Sequence, residues 1–242
     1  MVTVADRLQE ALPLLRHFFQ GVQLRERGGR KWLYAVVPAK AATNSLSLLV
    51  CFPLPDRYPL EPPQGFFLRV REEGEWRWMP IHWVNWQPGN SEREGSCLLT
   101  FLLVIQRLLS RLLTLPISEE EEAKRVPPFQ RGQIFWHGTS LSRAHSILVW
   151  GFQPQGWYGF GEGRIYFAPQ PTISWGYARS KGNFDQSGPA LLKCLIDLTA
   201  FQHGRDYRWQ GNYLFFRRSL PPEVVIALFR VLPDGRRQRV IL

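Results

Sequence analysis

The chain has 242 residues, 45% of them hydrophobic and 14% aromatic. That is enough apolar material for packed cores, excludes a globally disordered protein, and is generous for one ordinary domain. Thirty basic and 20 acidic residues give a net charge of +10, which favours anionic partners such as dinucleotide phosphates, nucleic acid or an acidic protein, unless it serves solubility alone.

In chain order, residues 3–19 place Arg7, Glu10 and Arg16 among apolar positions and are predicted to form an amphipathic helix rather than a signal peptide. Gly28-Gly29 suits the tight turn of a hairpin between Val22–Arg27 and Lys31–Pro38. Leu46–Pro53 and Gly65–Arg71 are predicted strands. The Trp-rich run Trp76–Trp86 is either a partner surface or core packing under a loop. Residues 98–115 are apolar at helical spacing and stop before Pro116. Four glutamates and a Pro-Pro pair within Ser118–Arg131 predict a solvated, extended linker, the alternative being a helix end running into a long loop. The expected organisation is a domain over 1–117, a linker over 118–131 and a domain over 132–242. The last carries 13 basic and 6 acidic residues, the first 14 and 10.

Downstream, Gln133–His137 is a predicted strand. Ser142–Trp150 is a predicted helix that Ser140 can cap and Gly151 ends. Ile165–Ala168 is a strand, Thr172–Ser180 a helix opened by Pro171, and Leu191–Asp197, Tyr213–Arg217, Val224–Arg230 and Arg239–Leu242 are further strands. Both halves read as α+β. No apolar run reaches membrane-spanning length. The cysteines Cys51, Cys97 and Cys194 are scattered without C-x-x-C spacing, which argues against a disulfide framework or metal site and for a reducing, cytoplasmic compartment.

Three features follow one another in the second half: His137-Gly138-Thr139, then Gly163-Arg164-Ile165-Tyr166-Phe167-Ala168, then Ser174 and Tyr177. This series resembles the catalytic domain of poly(ADP-ribose) polymerases and related diphtheria-toxin-like ADP-ribosyltransferases, over roughly residues 132–232. The resemblance implies a site that binds NAD as substrate, drawn from His137, Gly138, Thr139, Tyr158, Tyr166, Ser174 and Tyr177. Gly138 would let its backbone approach the nicotinamide carboxamide. Ser174 would add a hydrogen bond to that amide. Tyr177 and Tyr166 would hold the ring from two sides, and His137 would meet the adenosine ribose. His137, Tyr166 and Asn212 are the candidate catalytic residues. Asn212 stands where the family usually has a glutamate at the start of a late strand. It can hydrogen-bond a ribose hydroxyl but supplies neither charge nor a base. Losing a general base costs about 10²–10⁴-fold, so polymer elongation is the first activity to doubt. Glu162 and Glu223 do not occupy the glutamate's usual position, and His145 and His203 are expected to be structural or surface residues.

In the first half, Val50-Cys51-Phe52-Pro53 leads into Tyr58-Pro59-Leu60-Glu61-Pro62-Pro63, and His82–Asn85 precedes Gly95-Ser96-Cys97-Leu98. This pattern resembles ubiquitin-conjugating (E2-like) folds. The resemblance makes Cys97 the candidate thiol for a thioester, and one residue must be deleted to align it. The other reading is an E2-like or RWD-like module that binds proteins without chemistry, with Cys97 an ordinary thiol. Together the two resemblances imply a mono-ADP-ribosyltransferase whose E2-like domain recruits a protein acceptor, ubiquitin or a ubiquitin-like protein among them. A non-catalytic NAD or ADP-ribose scaffold, NAD hydrolysis, and a nucleic-acid acceptor remain alternatives.

Overall fold

The structure, a computed structural model, describes residues 4–40, 45–55, 63, 65–72, 75–82, 96–125, 132–154 and 163–240. The side chains of residues 4–10, 45, 71, 72, 82, 96, 97, 125, 184 and 185 lie outside that description. The fold is α+β, with five α-helices among the described residues and sheets whose strands all pair antiparallel. It divides into two compact units, residues 1–114 with residue 242, and residues 115–241. None of the described helices is long and apolar enough to cross a membrane.

The first unit is a helix, a five-stranded meander and a closing helix. Helix α1 (Val4–Phe18) leads into β1 (Gln20–Arg27), β2 (Arg30–Lys40), β3 (Ser45–Pro53), β4 (Gly65–Glu72) and β5 (Glu75–His82), which lie side by side in that order. Helix α2 (Ser96–Thr114) follows. Gly28 and Gly29 both have positive φ, 60° and 72°, as a two-residue hairpin whose twist matches its strands requires. Alternation along β2 gives one buried face of Leu33, Ala35, Val37 and Ala39, and α2 lies across it with Leu98, Phe101, Leu102, Ile105, Leu108 and Leu109 all buried. Phe52 meets Phe101 edge to face at 4.7 Å. Each such leucine contributes about 1.5–3 kcal/mol on burial, so this helix–sheet seam holds the unit together. The first part of the Trp-rich run is therefore an ordinary strand, β5, whose Trp76 and Trp78 are exposed. Residues 83–95 lie outside the described residues.

The second unit opens on α3 (Glu119–Arg125), where an extended linker was expected. The physical reason is local. The Ser118 hydroxyl accepts from the Glu121 N–H at 3.1 Å, and the Glu121 carboxylate reaches back to the Ile117 N–H at 3.2 Å. This is a variant of the capping box, and the remaining glutamates sit at the positive end of the helix dipole. Glu122 is buried, and its carboxylate bonds both Lys193 and the Arg239 guanidinium, the latter at 2.9 Å. Arg239 also donates to the Pro116 carbonyl at 2.7 Å. The acidic run is tied to its unit rather than free in solvent.

Strand β6 (Gln133–Ser140) is followed by α4 (Leu141–Trp150), β7 (Ile165–Phe167), α5 (Pro171–Asp185) and β8 (Pro189–Ile196). Then come β9 (Tyr207–Gln210), β10 (Tyr213–Phe216), β11 (Val225–Val231) and β12 (Arg237–Arg239). The Ser140 hydroxyl accepts from the Arg143 N–H at 3.4 Å, and Gly151, at φ 75°, ends α4. Strand β9 was not expected from the sequence, because Tyr207-Arg208-Trp209-Gln210 is only four residues long and lies largely exposed on a sheet edge. The strands form two sheets, β12-β11-β8-β6 and β7-β10-β9. One bridge joins them, with Trp136 and Ala168 exchanging both backbone hydrogen bonds at 2.7 and 2.8 Å.

Candidate functional site

That bridge decides the geometry of the site. Along an antiparallel strand, successive residues turn their N–H and C=O to opposite edges. Trp136 faces Ala168, and Leu141 faces the β8 side, where its N–H takes the Gly188 carbonyl. The alternation therefore turns the backbone of Gly138 to the Trp136 edge, away from β8. Were the ladder to continue, Gly138 would pair with Tyr166. Instead the Tyr166 carbonyl accepts from the His137 ring, Nδ1 to O at 2.8 Å. The two sheets part here, and the N–H and C=O of Gly138 point into the parting.

The His137 bond also fixes a tautomer. A carbonyl only accepts, so Nδ1 carries the proton, and a neutral ring presents Nε2 as an acceptor. The ring stands against Phe152 at 5.0 Å and Phe167 at 5.5 Å. Desolvation in this apolar setting pushes its pKa down to about 4; the bond to Tyr166 opposes the shift and Arg143 adds to it. At neutral pH, His137 can accept a hydroxyl proton in a hydrogen bond but carries no charge.

Gly138 is required by close approach. A Cβ built on it would run into the Ser174 carbonyl oxygen, with Ala178 N at 2.9 Å and Ser174 C at 3.0 Å. Helix α5 lies directly on β6 at this point. The contact brings Ser174 to the strand, where its buried hydroxyl donates to the Trp136 carbonyl at 2.9 Å and keeps lone pairs able to accept. Tyr177 lies one turn further along the same helix and is 49% exposed.

The aromatic wall contains a residue that sequence reasoning missed. The Tyr213 ring meets Tyr177 edge-on at 5.9 Å and Tyr166 edge-on at 6.5 Å. Tyr166 in turn contacts Phe215 at 5.8 Å. Three phenols thus gather at one place. The Tyr177 pKa is raised, first by desolvation and then by Tyr213 and Tyr166, so its phenol stays protonated. The available signal was the two-residue spacing Tyr213-x-Phe215 directly after Asn212, which puts both rings on one face of a strand beside Tyr166. The guanidinium groups of Arg164 and Arg217 lie 4.8 and 5.7 Å from the Phe215 ring centre. They supply positive charge next to the phenols, as dinucleotide phosphates would need.

The remaining sequence-predicted residues are placed as follows. Thr139 is buried on the His137 side of β6. Asn212 is exposed and belongs, with Gly211 at φ 58°, to the two-residue turn joining β9 to β10, one residue before the strand start expected of it. It adjoins Tyr213 in the chain. Glu223 is exposed in a short 3-10 turn. Tyr158 and Glu162 lie outside the described residues. His145 is buried within α4, and His203 lies on the surface against Tyr207. In the first unit, Cys97 falls in the first turn of α2, and its side chain lies outside the described residues, as do residues 56–62 of the proline-rich stretch. Cys51 and Cys194 are buried, and burial raises both thiol pKa values, that of Cys51 to about 11.

No protein-family model, curated protein or solved structure matches the chain.

Proposed function

We propose that the second unit binds NAD in the parting between β6 and β7 and transfers a single ADP-ribose to an acceptor. The observation that carries this reading is the directed backbone of Gly138, flanked by His137 with an acceptor nitrogen at Nε2 and by Ser174 and Tyr177 on the helix packed against it. The residues fit the substrate. An N–H and C=O side by side match a carboxamide. Nε2 of His137 matches a ribose hydroxyl, and the phenols match the faces and edge of a pyridinium ring. In the reaction the bond from C1′ of the ribose to the nicotinamide nitrogen breaks. Nicotinamide leaves with the bonding electrons, the acceptor atom bonds C1′, and the acceptor proton passes to solvent.

For the first unit we propose a recruiting role. The reading we favour is an E2-like module that holds a protein acceptor, ubiquitin or a ubiquitin-like protein being the first to test. Cys97 is its candidate thiol. NAD hydrolysis is the same first step with water as acceptor.

Asn212 favours a second reading, a scaffold that binds NAD or ADP-ribose without turnover. An amide cannot take the acceptor's proton, and a lost base costs about 10²–10⁴-fold. One experiment separates the readings. The full chain is incubated with NAD labelled in the adenine, with and without ubiquitin, while nicotinamide release and label transfer are followed. Slow release is expected, rising at least about tenfold in Asn212→Glu. Binding of NAD with no release from either protein leaves the scaffold, and absence of NAD binding removes both readings.

A further inference from the structure

We propose that the open face of the N-terminal sheet is a binding platform for single-stranded nucleic acid. This inference is independent of NAD chemistry in the second unit.

Helix α2 covers one face of the five-stranded sheet. Register and alternation assign the opposite face to Gln23, Arg25 and Arg27 of β1 and to Arg30, Trp32, Tyr34 and Lys40 of β2. Cys51 of β3, Phe67 and Arg69 of β4, and Trp76 and Trp78 of β5 share it, with Val36, Pro38, Ser47, Leu49, Pro53 and Pro80 as its small, aliphatic and proline positions. Two features of this face stand together. Its charged side chains are all basic among the described strand residues, while Glu26 and Glu75 fall on the helix-facing side. Its centre is aromatic. Trp32 contacts Phe67 at 5.7 Å and Tyr34 contacts Trp78 at 6.2 Å. Tyr34 and Phe67, one ring of each pair, are the cross-strand partners of Cys51, which is 4% exposed although the register places it on the open side. The outer rings remain accessible, Trp76 at 59% and Trp78 at 39%.

The arginines are placed to work with the rings. Arg25 lies over Tyr34 at 5.2 Å, held by the side-chain oxygen of Gln23, and Arg69 lies over Trp76 at 5.2 Å. A surface that offers flat rings and guanidinium groups in turn matches a strand of bases and phosphates. Bases stack on rings whatever their sequence, and guanidinium groups meet the phosphates between them. An acidic protein would satisfy the charge, but the alternation of rings with guanidinium groups is the pattern that a strand of bases and phosphates calls for. Trp76 and Trp78, ambiguous in the sequence, thereby acquire a partner of defined chemistry.

The test uses the full chain and a fluorescein-labelled oligouridylate of roughly twelve nucleotides. Anisotropy should show binding, with intrinsic tryptophan fluorescence quenched in step. If about three phosphates are contacted, affinity should fall with a log–log salt slope near about −2. The double variant Trp76→Ala/Trp78→Ala, checked for folding by thermal melting, should bind at least about tenfold more weakly. Arg25→Glu/Arg69→Glu should flatten the salt slope. Unchanged binding in the tryptophan variant overturns the proposal. So does equal competition by polyglutamate, which would assign the face to an acidic protein. Binding without tryptophan quenching also overturns it and places the nucleic acid elsewhere.

Discussion

A methyl group at Gly138 tests the packing on which the site depends. The alanine Cβ would strike the Ser174 carbonyl and come within 2.9 Å of the Ala178 nitrogen. Both obstacles are main-chain atoms of α5, so no rotamer change relieves the clash and the helix must move. Overpacking costs about 1–3 kcal/mol in general, and a rigid obstacle places this case near the upper end. For a compact unit of this size, about 3 kcal/mol lowers Tm by roughly 10 °C. The matched control is Gly176→Ala in the same helix, where an added Cβ meets nothing within 4 Å. There alanine should stabilise by up to about 1 kcal/mol through helix propensity. Thermal unfolding followed by circular dichroism reads both. The two alanines should shift Tm in opposite directions, and nicotinamide release should fall in Gly138→Ala because Ser174 moves with the helix. A Gly138→Ala protein as stable as the parent would refute the contact and the route by which Ser174 reaches β6.

Two further outcomes follow from the same unit. Glu122→Gln leaves Lys193 and Arg239 facing a neutral amide in a site where all three side chains are mostly buried. Breaking a buried pair in this way costs about 3–5 kcal/mol, and partial exposure of Lys193 points to the lower end; a urea midpoint shift worth less than about 1 kcal/mol would contradict the tie between α3 and the sheet. The depressed His137 pKa makes the folded state the poorer proton binder between the ring's ordinary 6.5 and about 4. Stability is therefore fully present above pH 6.5 and is lost as pH falls through that window, by at most about 3 kcal/mol because the ring is half-buried. The loss is read as the difference in denaturation midpoint between the parent and His137→Gln across this range, and parallel curves would show that the imidazole is not held neutral.

The elements legible in the sequence were those with a strong local signal. The hairpin at Gly28-Gly29, the strand ending at Pro53 and the apolar helix before Pro116 follow from turn chemistry and periodicity. What escaped was decided by contacts distant in sequence. The acidic run carries a Ser-x-x-Glu cap that was there to be read, but that Glu122 is drawn inward follows only from Lys193 and Arg239, 71 and 117 positions away. Strand β9 alternates aromatic and polar residues over only four positions, too short a signal by itself, and its pairing with β10 makes it a strand. At the site, the spacing of His137, Tyr166, Ser174 and Tyr177 was visible, whereas Tyr213 was not, since its role lies in two edge-on ring contacts. The requirement for glycine at 138 was expected from an approaching ligand, and the structure shows a further cause in the backbone of α5.

That second cause changes how a glycine in a binding cleft should be read here. Gly138 serves the fold by admitting α5, and only because α5 lies that close can Ser174 bond the Trp136 carbonyl beside the open backbone edge. No substitution at 138 can therefore separate stability from ligand binding. Asn212 is different. It is exposed in a two-residue turn, and Gly211 carries the positive φ. Among described non-glycine residues only Gln186 has positive φ, so Asn212 holds an ordinary backbone conformation that glutamate can also adopt. A carboxylate can be introduced there beside Tyr213 without disturbing the core. Any change in nicotinamide release then reports charge and proton acceptance at the cleft rather than a damaged fold.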